Sequence, residues 1–164
     1  MTIEPRIYER SIYEARLDIA YGVRFQELNE ILYRRIDTLF GFIGLFGGSA
    51  ALSAALGQWQ AGGIAAGGLV AVSAICERLI RPAERVAVHQ QWRKKFNELQ
   101  VSVESTAVTQ LEAVDAGLRL LQGQAPSGVS ALAPIAYNLT VLSAGRTDYV
   151  MPVSRWQHFV AWLA

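Results

Sequence analysis

The chain has 164 residues, 15 Lys and Arg against 14 Asp and Glu for a net charge of +1, and 52% apolar composition. Near-neutrality excludes a nucleic-acid partner held by a basic surface, and four Trp, six Tyr and six Phe exclude a disordered chain. One cysteine, Cys76, excludes an internal disulfide and a cysteine zinc site, and at the inner end of an apolar run it reads as a small buried residue.

The opening stretch "MTIEPRIYERSIYEARLD" carries charges where a secretory leader would carry its apolar core, so no leader is expected. Targeting then falls to later segments. From about Ser11 to Asp37, Phe25, Leu28, Ile31, Leu32, Ile36 and Leu39 recur at three- and four-residue steps, with Arg24, Glu27, Glu30 and Arg34 between them. This spacing predicts one amphipathic helix with those charged residues on its polar side. It runs without a linker into a long apolar segment.

That segment, Thr38 to Cys76, has 39 residues without Asp, Glu, Lys, Arg or His. A helix crosses the hydrocarbon core of a bilayer with about 20 apolar residues, so this run is too long for one crossing and suits two. Gly57-Gln58-Trp59-Gln60 lies near its midpoint and supplies the turn, with Trp59 suited to the far interface. The competing reading is a buried αα-hairpin in a soluble bundle. It requires burial on every side of some forty residues, and the rest of the chain has too few apolar helices to provide that. The second arm, "AGGIAAGGLVAVSAIC", is only marginally hydrophobic and is expected to insert as a partner of the first.

Small residues recur at four-residue steps on both arms: Gly44 and Gly48, then Gly47, Ala51 and Ala55 on the first, Gly63 and Gly67 on the second. Such spacing clears one helix face and lets two backbones approach closely, within the hairpin or between copies. The flanks are basic. Arg34 and Arg35 precede the run, Arg78 and Arg81 come after it, and the turn carries no charge, so both termini are expected in the cytoplasm. Asp37 on one arm and Glu77 with Arg78 on the other reach a similar depth. An Asp37–Arg78 pair that pins the arms, and simple head-group anchoring, both remain open for these residues.

After the run, Pro82 either kinks a continuous helix or begins a new one. Trp92, Phe96, Leu99, Val103, Leu111, Val114 and Leu118 then make a near-heptad stripe with a stutter after Val103, over a helical stretch reaching Gly123. Its expected partner is the N-terminal helix, a neighbouring subunit, or both. "QGQAPSG" reads as a turn, a helix is expected over 134–144 ending at Gly145, and a last helix after Pro152 carries Trp156, Phe159, Val160 and Leu163 on one face. That helix either closes the bundle or lies in the membrane interface.

No catalytic, metal or cofactor constellation emerges. His89 and His158 have no Cys, Asp or Glu at ligand spacing and read as solvated or capping residues. The glycines sit inside apolar helices, so they serve packing rather than phosphate binding. Asn138-Leu139-Thr140 matches a glycosylation sequon that a cytoplasmic placement makes accidental. With no charge in the spans, a proton relay is not expected. The reading is an all-α membrane protein: an amphipathic cytoplasmic helix over 1–37, a transmembrane hairpin over 38–80 with its turn at 57–60, and a cytoplasmic helical region over 81–164.

Three stretches, "LYRRIDTLFGFIGLFGG", "RPAERVAVHQQWRKKFNELQ" and "LAPIAYNLTVLSAGRTDY", together with the paired uncharged spans, resemble the SLATT family of bacterial two-transmembrane effectors. The resemblance implies a homo-oligomer in the inner membrane that perforates or depolarises it in an anti-phage conflict system. Because no sensing domain is recognisable in the chain, it also implies either a separate sensor or nucleotide second-messenger synthetase as partner, or cytoplasmic helices that respond to the signal directly. The alternatives are a non-conducting adaptor that recruits a soluble partner, and a holin-like lysis protein.

Overall fold

The structure, a computed structural model, describes residues 11–57, 60–104 and 111–164. Those residues form six α-helices and two short 3-10 turns, with no strand among them. The first helix, α1, runs unbroken over Ile12–Leu56, 45 residues or about 67 Å at the usual rise. A capping box starts it: Ser11 Oγ accepts from the Glu14 N–H and Glu14 returns a bond to the Ser11 N–H. At its far end the Gly57 N–H closes on the Ser53 carbonyl.

The second helix, α2, covers Gln60–Ile80 and lies antiparallel to the outer part of α1. Of the expected turn, Gly57 is a turn residue and Gln60 begins α2, while Gln58 and Trp59 lie outside the described residues. Arg81 alone separates α2 from α3, Pro82–Glu104, and Pro82 therefore starts a new helix rather than kinking an old one. The pyrrolidine ring crowds the preceding residue out of the right-handed helical region. Arg81 answers with φ of +50°, the one positive-φ position outside glycine among the described residues.

The fourth helix, α4 over Leu111–Gln124, does not prolong α3, contrary to the single stripe-bearing helix expected as far as Gly123. A continuous helix would separate residues 99 and 117 by about 27 Å. Instead a Cβ on Gly117 would stand 3.5 Å from Leu99, so α4 folds back against α3. The stripe is consumed there. Phe96, Val103, Val114 and Leu118 bury with Ala15 and Ile19 of α1, and Trp92 and Leu99 pack at the edge; the Leu111 side chain lies outside the described residues. α1 and α3 approach closely at Gly22, where a Cβ would stand 2.6 Å from the Phe96 ring.

Two further helices complete the bundle. In α5, Ala133–Ser143, the chain leaves through a Schellman motif: Gly145 at φ +74° donates to the Leu142 carbonyl and Arg146 to that of Val141. The last, α6 over Arg155–Leu163, opens on a Ser154–Gln157 capping box. A second small core joins Leu32 of α1, Leu132 of a 3-10 turn and Val160 of α6.

Candidate functional site

Two regions stand out, the apolar hairpin and the polar seam at its base. The hairpin has two helices long and apolar enough to cross a membrane. Within the most apolar 18-residue windows, 0% of the first and 6% of the second is buried inside the chain. Leu45 is 67% exposed and Ile64 77%, and Leu39, Phe42, Phe46, Leu52, Leu69, Val72, Ile75 and Leu79 are also exposed. Burying one such side chain fully is worth about 1.5–3 kcal/mol. Leaving all ten bare to water would forgo on the order of 10 kcal/mol, as much as the net stability of a whole domain.

The small residues divide between two uses. A Cβ on Gly47 would meet Val70 of α2 at 2.6 Å, so this glycine brings the two arms together, and Ala54 on the first arm and Ser73 on the second are buried. Around Gly44, Gly48 and Gly67, by contrast, a Cβ would meet nothing within 4 Å. Ala51 and Gly63 are half-buried, and the Ala55 side chain lies outside the described residues. Cys76 is half-buried with a free thiol, short of the full burial expected of it.

The charged residues of the hairpin base are held in different ways. Arg34 pairs with Glu30, Arg35 Nη1 donates to the Trp162 carbonyl of α6 at 2.8 Å, and Arg81 pairs with Glu84 at 3.4 Å. Asp37 and Arg78 line one cleft of about 480 Å3 with Glu77 and Arg81, yet no ion pair joins them. The structure brings them to one place without the pin.

Directly beneath lies a seam of polar side chains that periodicity had put on the surface or passed over. Gln26, Asn29 and Glu30 are buried, as is His89 opposite them on α3. Glu30 is thus a buried carboxylate, not a solvated spacer, and His89 is neither solvated nor a cap. His89 donates from Nδ1 to Gln26 Oε1 at 2.6 Å and stacks on Tyr33 with ring centroids 5.5 Å apart. Arg85 caps the stack, its guanidinium 5.3 Å from the Tyr33 ring centre and donating to the phenol oxygen at 3.2 Å. Burial, helped by the Arg85 charge, pushes the His89 pKa below its ordinary value, so the ring is neutral at physiological pH. Arg93 Nε approaches Glu30 Oε2 to 3.1 Å without the alignment of a hydrogen bond, and that oxygen accepts none.

Asn29 extends the seam to the far loops. Its amide donates to the Phe25 carbonyl and accepts from the Val129 N–H at 2.7 Å, and Gly128 fits against it because a Cβ there would stand 2.6 Å from the amide nitrogen. Asn138 does the same for the last connection, with bonds of 2.9 and 2.8 Å to the Met151 backbone. An amide so occupied and buried is shielded from glycosylation. His158 is exposed, consistent with a solvated side chain.

Between α1 and α5, a cleft of about 310 Å3 is lined by Tyr21, Tyr137, Tyr149, Arg146, Glu14 and Asp18. Among the described residues no group of three or more His, Cys, Asp or Glu is placed to hold a metal. Neither family models, curated proteins nor solved structures give any match to the chain.

Proposed function

We propose that the chain is a two-span protein of the bacterial cytoplasmic membrane, both termini cytoplasmic, that assembles with copies of itself and opens a path across the bilayer. The observation that carries this reading is the exposure of nearly the whole apolar surface of the hairpin. Lipid covers that surface at no cost in unmet hydrogen bonds, because a helix satisfies its own backbone. Ser49 fits the same medium, its hydroxyl donating to the Leu45 carbonyl.

Gly44, Gly48 and Gly67, open within one chain, are the faces on which copies pack. The trigger acts on the cytoplasmic bundle and reaches the spans through α1, whose helix is shared by both regions and whose base is locked to α3 by the polar seam. The resemblance to the SLATT family adds the setting: an anti-phage effector that receives its signal from a separate sensor or nucleotide second-messenger synthetase. Dye release from vesicles containing the purified protein, and loss of membrane potential in expressing cells, test the pore. Gly44→Leu and Gly67→Leu should each abolish crosslinked oligomers and leakage together. An intact potential under activating conditions removes the pore.

One observation favours a second reading, a non-conducting adaptor. The tyrosine- and arginine-lined cleft between α1 and α5 is suited to hold a segment of a soluble partner. A stoichiometric partner in pull-down, with no toxicity on overexpression, would select it.

A further inference from the structure

The C-terminal helix α6 divides its apolar residues unevenly. Its packed edge is Val160 with Ala161, Leu163 and Ala164, in one cluster with Leu132 of the 3-10 turn and with Leu28, Leu32 and Ile36 in the last turns of α1 before the uncharged run. Trp156, Phe159 and Trp162 take no part in that contact. They are 65%, 50% and 73% exposed and adjoin one another along one edge of the helix, Trp156 tilted against Phe159 at a centroid spacing of 5.7 Å and Phe159 stacked on Trp162 at 6.4 Å. Three large aromatic rings left bare on a nine-residue helix need a cover.

The position of the ladder identifies the cover. Arg35 donates to the Trp162 carbonyl at 2.8 Å, which fixes the end of α6 at the level of Arg35. The uncharged run starts three residues later at Thr38, about 4.5 Å further along the helix axis. Of the next large side chains on α1, Leu39 and Phe42 are exposed and Phe40 is half-buried. The Trp162 end of the ladder therefore lies near the level at which the exposed apolar surface of the hairpin begins. Indole rings favour this zone, with the ring among the upper acyl segments and the N–H toward head-group oxygens. Arg35 and the exposed Arg155 add positive charge that suits lipid phosphates.

We infer that α6 is an interfacial anchor: Trp156, Phe159 and Trp162 insert into the head-group layer of the cytoplasmic leaflet and fix the depth at which α1 enters the bilayer. The inference rests on the membrane reading above and extends it to a second lipid contact, outside the spans. It departs from the face expected from spacing alone, which joined Val160 and Leu163 to the aromatic residues.

Depth-resolved quenching tests it. A W59F/W92F variant keeps Trp156 and Trp162 as its only indoles, and is reconstituted into phosphatidylethanolamine–phosphatidylglycerol vesicles with acyl chains brominated near the head group or near the chain end. The anchor predicts emission shifted to shorter wavelength and quenched most by the shallow bromines. Protein that floats with the vesicles but emits as in water, unquenched, overturns the anchor and leaves the hairpin reading standing. Floating protein with shifted emission that no bromolipid quenches also overturns it, because protein, such as a second copy, then covers the ladder. Protein that fails to float removes both readings. Because Trp92 packs against a core, a second measurement guards against misfolding: a nitroxide on F159C in a C76S background should relax faster with dissolved oxygen than with a water-soluble nickel chelate. The reverse order rejects the anchor.

Discussion

Replacing His89 removes two contacts at once, the amide oxygen of Gln26 at 2.6 Å and the face of Tyr33. The neutral ring is the form that fits, since burial and the Arg85 guanidinium both disfavour a second proton. The folded-state pKa is lowered, so the unfolded chain binds the proton more readily once the pH falls below the ordinary value of about 6.5. The stabilisation from His89 is fully present above that pH and is lost progressively as pH falls toward the lowered folded value. Thermal melts in detergent should show the wild type less stable at about pH 5.5 than at about pH 7.5, with H89Q much flatter across this interval. An equal acid loss in both proteins would assign the effect to other groups. None of this was legible from spacing to cysteines or carboxylates. The usable signal was the polar run 26, 29, 30 and 33 on α1 facing 85, 89 and 93 on α3, and a periodicity search scores only apolar residues.

At the scale of the elements, helix positions were readable and helix partnerships less so. Capping residues, Pro82 and Gly145 mark real ends because their chemistry is local. The reversal that brings Leu99 beside Gly117 is set by long-range packing, and a near-heptad stripe looks the same whether its halves continue or fold together. Arg81 offers a direct test of the α2–α3 break. Both R81G and R81V lose the exposed pair with Glu84, so their difference isolates the backbone. Glycine accepts positive φ freely and valine does not. R81V should be less stable than R81G by about 1–2 kcal/mol in detergent denaturation, and equal stability would mean the residue leaves that conformation. Within the hairpin, the small residues that spacing grouped together separate into two environments, one against the other arm and one open. G47L collides with Val70 and should disrupt the contact between the arms, read as loss of a disulfide crosslink engineered across α1 and α2. G44L should leave that crosslink intact, and loss in both variants would contradict the division.

For the whole molecule, the sequence conveyed the outline through one physical contrast: 39 residues without charge beside basic flanks. The structure adds that the chain does not cover this segment with itself, so the nine exposed large side chains along it await a solvent other than water. Assembly, gating by the cytoplasmic bundle and the anchoring of α6 all depend on that solvent being lipid. The direct measurement is flotation of chain synthesised in a cell-free system with liposomes, and then an alkaline carbonate wash. The account predicts that the protein rises with the lipid and stays with it through the wash. Protein left at the bottom of the gradient as a monodisperse species in plain buffer would contradict it.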